Sequence, residues 1–193
     1  MGIEYDVITE CRGIGSRLTM GGPLRWLTTR GHLDPLVQRL APAEVLATLD
    51  VIHRSLGGDA RVLARKQAQP LAVDLLGPNG ELIELDEVQH FTSARRDTLR
   101  WYPGVTSLGF TLGFSVDQYR SLIDVWKAKA NAVFTRQLGA DFDFQGGRRA
   151  QRAYFDAVKD LLAPTFTGAA LVRLPVLDRD PRSAALAIHG RLG

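Results

Sequence analysis

The chain has 193 residues, of which 45% are hydrophobic and 23% charged, an ordinary globular composition in a length that one domain can use to bury a full core without covalent staples. Its single cysteine, Cys11, excludes an intramolecular disulfide and a cysteine-cluster zinc site, and with no run of about 18 apolar residues no membrane span is expected. A net charge of +3 and an isoelectric point near 9.3 permit contact with nucleic acid without requiring it.

Along the chain, IEYDVIT reads as a strand and GIGSRLTMGGP as a glycine-rich loop. That loop lacks the Gly-Lys-Ser/Thr ending of a phosphate-binding P-loop. Asp34-Pro35 has the look of a helix start, with Asp as N-cap and Pro in the first turn. Pro42 opens a second helix, AEVLATLDVIHRSL, whose Val45, Leu46, Leu49, Ile52 and Leu56 follow helical spacing up to Gly57-Gly58. The period then changes. ARVLARKQ, PLAVDLL and ELIELDE predict three short strands, the last two joined by the hairpin signal LGPNGE. TSARRDTLRWY predicts a helix stopped by Pro103-Gly104, and GVTSLGFTLGF a strand or loop. SVDQYRSLIDVWKAKANAVFTRQL predicts a long helix capped by Ser115, and DFDFQGG a loop. RRAQRAYFDAVKDLLAP predicts a helix ended at Pro164, GAALVRLPVL a strand, and SAALAIHGRL a final short helix. Helices flanking a mostly contiguous sheet make an α/β fold, with α+β as the alternative. The opening residues show neither the basic nor the apolar region of a secretory leader, so a cytoplasmic location is expected.

The hairpin concentrates acids. Residues two apart in a strand share a face, so Glu84 and Asp86 point one way and Ile83 and Leu85 the other. If Pro78-Asn79-Gly80 is the turn, Gly77 pairs with Glu81 and Asp74 falls across from Glu84, with Cβ atoms ~5 Å apart. Three carboxylates, Asp74, Glu84 and Asp86, then meet on one face, where they repel and raise one another's pKa. A divalent cation, Mg²⁺ or Mn²⁺, rewards that arrangement. Mg²⁺ takes one or two carboxylates, keeps waters and accepts substrate phosphates, and it can acidify a water and neutralise charge developing on a phosphodiester. A solvated sheet face whose acids pair with Arg65, Arg95 and Arg96 explains the same spacing equally well.

The stretch RKQAQPLAVDLLGPNGELIELDEVQH, from Arg65 to His90, resembles the core of the PD-(D/E)XK restriction-endonuclease-like superfamily. It is closest to the branch of small nucleases related to very-short-patch-repair enzymes, which carry Arg-(Arg/Lys)-Gln before a strand ending in Asp, a turn, and a strand of the type Ile-Glu-x-Asp-Gly-x-x-His. On that resemblance Asp74 is the first metal-binding acid, Glu84 the second and Asp86 a third ligand or supporting acid where more typical members carry lysine. His90, or Gln89 before it, positions the water or contacts the scissile phosphate, and Lys66 supplies the displaced positive charge. QRAYFDAVKDLLAP with ALVRLPVL is similar to the family's later helix and strand, which places Arg152 and Arg173 at its arginine positions. Glu44 falls where the first helix of the superfamily often adds an acid. Glu87 departs from the pattern's glycine, and the roughly 60 residues between His90 and the Arg152 helix are more than usual.

The resemblance implies a central mixed β-sheet flanked by helices, in one domain of four stretches. These are an N-terminal loop and helical region over 1–60, the hairpin core over 61–90, a mainly helical insertion over 91–145 and a helix-strand-helix over 146–193. It implies a Mg²⁺- or Mn²⁺-dependent nuclease acting on DNA. A nuclease-fold module that has lost catalysis and binds nucleic acid or a protein is the alternative, motivated by the replaced lysine and by Glu87, and an RNase is a weaker one. Arg65, Arg95, Arg96, Arg152 and Arg173 are the candidate nucleic-acid contacts, the cluster of Arg95, Arg96, Arg100 and Arg120 reading as a phosphate track or a solvated helix face. A homo-oligomer stays open. His53 on its apolar helix reads as a packed or surface residue, and Trp26, Trp101, Trp126 and Tyr102 as core.

Overall fold

The computed structural model describes residues 2–102, 116–133, 140–169 and 171–192. Helix α1 (Ile3–Gly13) leads into strands β1 (Thr19–Met20) and β2 (Pro23–Thr28). Three helices follow, α2 (Pro35–Leu40), α3 (Ala43–Ser55) and α4 (Ala60–Arg65), then strands β3 (Pro70–Ala72), β4 (Leu75–Leu76) and β5 (Leu82–Asp86). Helices α5 (Ser93–Thr98), α6 (Val116–Val133) and α7 (Gly147–Thr167) precede strand β6 (Val172–Pro175) and helix α8 (Pro181–Leu192). The fold is mixed α/β. A four-stranded sheet runs β1-β4-β5-β6, and β2 and β3 form a separate pair. β4 is antiparallel to β1 and β5, while β5 and β6 are parallel. No helix among the described residues is long and apolar enough to cross a membrane.

Strand β5 is buried along its whole length, because helices cover both faces of the sheet. Ile83 and Leu85, with Val172 and Leu174 of β6, pack on Ile3, Val7 and Cys11 of α1 and on Ala184, Ala185 and Ile188 of α8. Leu82 joins the larger core on the other face with Phe91, Leu49 and Ile52 of α3, and Leu161 and Leu162 of α7. Period-two alternation therefore turns Glu84 and Asp86 of β5, and Arg173 of β6, toward α7.

Several elements differ from what the local sequence predicts. IEYDVIT is helical: Ile3, Val7 and Cys11 recur every four residues and form the buried stripe of α1, so packing against α8 overrides β-branched propensity. ARVLARKQ is the short helix α4, because the Asp59 carboxylate accepts from the N–H groups of Arg61 and Val62, a capping geometry that a strand cannot offer. PLAVDLL splits at Val73-Asp74, its first half pairing with β2 and its second with β1 and β5. Helix α7 runs through Pro164 to Thr167. The missing N–H removes only one bond near the helix end, and Gly168 at φ 71° closes it. The capped start at Asp34, the helix after Pro42, the final helix, and the strand within GAALVRLPVL all form, whereas TSARRDTLRWY is α-helical only over Ser93–Thr98, well before Pro103. GVTSLGFTLGF and Ser115 lie outside the described residues.

Candidate functional site

The hairpin has the register that its turn predicts. Leu75 faces Ile83 and Leu76 faces Leu82, the Gly77 N–H donates to the Glu81 carbonyl at 2.8 Å, and Gly80 takes the left-handed conformation with φ 87°. The ladder does not extend to Asp74, where the chain leaves the sheet. The Gly21 N–H donates to the Asp74 carbonyl at 2.8 Å, and the Leu85 N–H donates to the Asp74 carboxylate (Oδ2) at 2.8 Å. Gly21 makes this kink accessible: a Cβ there would lie 2.0 Å from the Val73 carbonyl oxygen. Asp74 thus comes beside β5 through a backbone break rather than through strand pairing.

Asp74 and Glu84 open onto a cleft of about 380 Å³, bounded by Leu71 and Ala72 of β3, by Lys66 just past α4 and by a face of α7 carrying Arg148, Arg152, Phe155 and Lys159. Glu84 is only 1% exposed. Its Oε2 accepts from the Lys159 ammonium at 2.7 Å, and its buried Oε1 has no hydrogen-bond partner. Burial pushes the Glu84 carboxyl above its ordinary value, with the Asp74 charge adding and Lys159 opposing. Burial likewise raises Asp74, against the Leu85 hydrogen bond and the Lys159 charge. Both carboxylates are therefore short of positive charge, and one buried oxygen is uncommitted. Those donors fit a hard divalent cation held by two carboxylates and completed by water and substrate oxygens.

Asp86, two residues along on the same face, is committed elsewhere. It is fully buried and does not line the cleft. Arg173 donates to its Oδ1 at 2.5 Å, the Tyr119 hydroxyl to its Oδ2 at 2.6 Å, and the His90 Nδ1 lies 3.3 Å from Oδ1. Arg173 also reaches Asp160 at 2.6 Å and Asp156 at 3.2 Å. Asp160 in turn accepts from Arg95 at 2.5 Å and from the Tyr102 hydroxyl at 2.6 Å. Three aspartates and two arginines thus make one closed, buried network. Burial alone would raise Asp156 and Asp160, yet His90 and Arg173 hold the first, and Arg173 and Arg95 the second, below the ordinary carboxylate range.

His90 joins the network to the cleft. Its Nδ1 is 3.0 Å from the Asp156 carboxylate and its Nε2 is 2.9 Å from Arg152 Nη1. Burial works against its charged form, but Asp156 and Asp86 outweigh that and raise its pKa. With Nδ1 toward Asp156 and Nε2 toward Arg152, the ring sits between the network and the guanidinium at the cleft wall.

The predicted site residues therefore separate. Asp74, Glu84, His90, Lys66 and Arg152 line one cleft, with Lys66 paired to Asp141 at 2.7 Å and ending a helix rather than lying on a strand. Asp86 belongs to the network, and among the described residues no three acids, histidines or cysteines converge in a metal-holding group. Arg95 and Arg173 are buried network cations, so they are not placed for phosphate contact. Neither pairs with a solvated sheet face. Arg96 pairs with Asp124 of α6 at 2.8 Å, Arg100, just past α5, with Asp97, and Arg120 with Asp117 on its own helix. Arg65 and Glu44 are exposed and outside the cleft, and the Gln89 amide donates to Glu87 at 3.1 Å instead. Trp26 and Tyr102 are core, whereas Trp101 is exposed. Arg148, which with Arg149 and Arg152 reads from the sequence as a phosphate track or a solvated helix face, lines the cleft, whereas sequence reasoning missed Lys159, Asp156 and Phe155. Their spacing along α7 was the available signal, since 148, 152, 155 and 159 share one helical face.

Comparison of the chain with protein-family models, curated proteins and solved structures finds no match.

Proposed function

We propose that the protein is a metal-dependent nuclease of restriction-endonuclease-like fold that hydrolyses phosphodiester bonds, with DNA as its substrate. The observation that carries this reading is the buried, uncommitted Glu84 Oε1 beside Asp74 and Lys159 in a cationic cleft. The mixed sheet with helices on both faces supports it as well. Asp74 and Glu84 would hold Mg²⁺ or Mn²⁺, which when bound supplies a more acidic water and neutralises phosphate charge. Lys159, whose ammonium lies 2.7 Å from Glu84, would supply the positive charge that the resemblance expects of Lys66, and it favours the ionised form of Glu84 against burial. Arg148, Arg152 and Lys66 draw phosphates into the cleft. His90, backed by Asp156, acts as a positioning residue that fixes Arg152.

The test is cleavage of supercoiled, linear and single-stranded DNA with Mg²⁺ or Mn²⁺. Glu84→Ala and Lys159→Ala are each expected to lose about a hundredfold or more in rate, the scale of removing one electrostatic stabiliser from an active site. Equal behaviour of wild type and Glu84→Ala on every substrate overturns the proposal. A second reading, a nucleic-acid-binding module without catalysis, is favoured by the direct Lys159–Glu84 ion pair at 2.7 Å, which neutralises one carboxylate without a metal. Salt-dependent DNA binding with no metal-dependent cleavage selects it.

A further inference from the structure

We infer that the cleft takes one unpaired nucleotide, its base against Phe155 and its phosphate toward Arg152 and Lys159, so that the substrate is single-stranded or locally opened nucleic acid rather than intact duplex; this rests on the nuclease reading of the same site. Depth is the first argument. Glu84 is 1% exposed, and a duplex presents its phosphates on a convex outer surface, for which a shallow cationic track is enough. A chain that reaches Glu84 must enter the cleft.

The wall is the second argument. Arg148, Arg152, Phe155 and Lys159 follow one another on a single face of α7, which places an aromatic ring between cations. Phe155 is half-buried, and its ring is tilted against Tyr154 with centroids 5.1 Å apart, so it presents a fixed surface. Leu71 and Ala72 face the same space. A phosphate track has no use for an apolar wall, whereas a base does. Cationic grooves interleaved with aromatic rings are how proteins hold single strands. The volume of about 380 Å³ lies at the small-ligand end of binding pockets, about 300–1,000 Å³, which suits one monomer of a chain.

The test measures binding without divalent metal, by fluorescence anisotropy in EDTA at fixed salt. The probes are a labelled dodecamer of oligo-dT, the same length of oligo-U, and the oligo-dT·oligo-dA duplex. Both single strands, or the one whose sugar the site prefers, are expected to bind at least about tenfold more tightly than the duplex. Phe155→Leu keeps apolar volume at the half-buried position but removes the π face. It is expected to lower single-strand binding about tenfold, the scale of one lost base stack, to leave duplex binding unchanged, and to melt as wild type does. Phe155→Trp retains the preference. A duplex bound as tightly as the tighter-binding single strand, or a Phe155→Leu protein that binds that strand as wild type does, overturns the inference. Cleavage with Mn²⁺ separates the two readings. Single-strand binding without any cleavage removes the nuclease and leaves the nucleotide site, whereas equal cleavage of duplex and single strand removes the nucleotide site and leaves the nuclease.

Discussion

Glu84 and Asp86 lie two residues apart on one face of one strand, and the protein uses them in opposite ways. Asp86 is closed off. Arg173 and Tyr119 take its oxygens, and the surrounding network pairs Asp156 and Asp160 with Arg173 and Arg95. Glu84 is left partly open, with one oxygen on Lys159 and the other without a partner. What separates them is the neighbouring strand and helix. β6 pairs Asp86 with Pro175 and Glu84 with Arg173, yet the Arg173 side chain runs toward Asp86, Asp156 and Asp160. Helix α7 then supplies a single lysine to Glu84. A completed ion network rigidifies, whereas an incomplete carboxylate pair at a cleft is a place for a ligand.

The largest effect is expected on the closed side. Arg173→Ala leaves three buried aspartates short of their shared cation, and breaking a buried ion pair from one side typically costs about 3–5 kcal/mol. At about 2–4 °C per kcal/mol for a chain of this length, the thermal midpoint should fall by roughly 10 °C. Glu84→Gln, by contrast, keeps the shape and an acceptor for Lys159, and should cost about 1 kcal/mol or less. Urea denaturation of the two variants measures the difference. Comparable losses would show that Glu84 is a structural acid like Asp86 and remove the distinction between the two sides.

How the open side is built explains what could be read in advance. The turn chemistry of Pro78-Asn79-Gly80 and the alternation along ELIELDE are local rules, and they were enough to predict the hairpin register and the shared face of Glu84 and Asp86. They could not reveal that Asp86 is neutralised from β6 and α6, because Arg173 lies 87 residues away in sequence and Tyr119 33. Nor could they place Lys159, which reaches Glu84 across 75 residues. Asp74 was anticipated beside Glu84 as a strand neighbour, whereas its position depends on a kink held by Gly21. The helices α1 and α4 went unread for a related reason: a stripe packed on α8 and one capping aspartate decided them against local β propensity.

Gly21 gives the next prediction. A methyl group at that position must push back the Val73 carbonyl, and overpacking of this kind costs about 1–3 kcal/mol. Gly21→Ala should therefore destabilise less than Arg173→Ala, but it should also displace Asp74. Metal-dependent stabilisation and cleavage are expected to fall more than the loss of stability explains. A Gly21→Ala protein that keeps wild-type cleavage at a temperature where it is fully folded would show that the kink does not set the position of Asp74.

The smallest effect is in the pH dependence, where the two sides carry opposite signs. Asp156 and Asp160 titrate below their ordinary value of 3.8. Their contribution to stability is complete above that value and is lost as pH falls through their depressed folded values. Glu84 titrates above its ordinary value of 4.5, so the folded state holds its proton more tightly than the unfolded chain does. Its contribution is complete below 4.5 and is lost as pH rises through the raised folded value. Glu84→Gln has no such proton to lose. Relative to wild type it should therefore gain stability steadily as pH rises above about 4.5 and level off once Glu84 is ionised in the folded protein. Midpoints of thermal unfolding at half-unit steps from pH 4 to pH 8 give the difference directly, with the network's contribution cancelling because it is common to both proteins. Millimolar Mn²⁺ should then raise the wild-type midpoint at neutral pH and leave that of Glu84→Gln nearly unmoved, since a ligand stabilises only the state that binds it. A difference between the two proteins that is flat in pH and insensitive to Mn²⁺ would mean that Lys159 alone satisfies Glu84, and the open carboxylate pair would then be as closed as the network behind it.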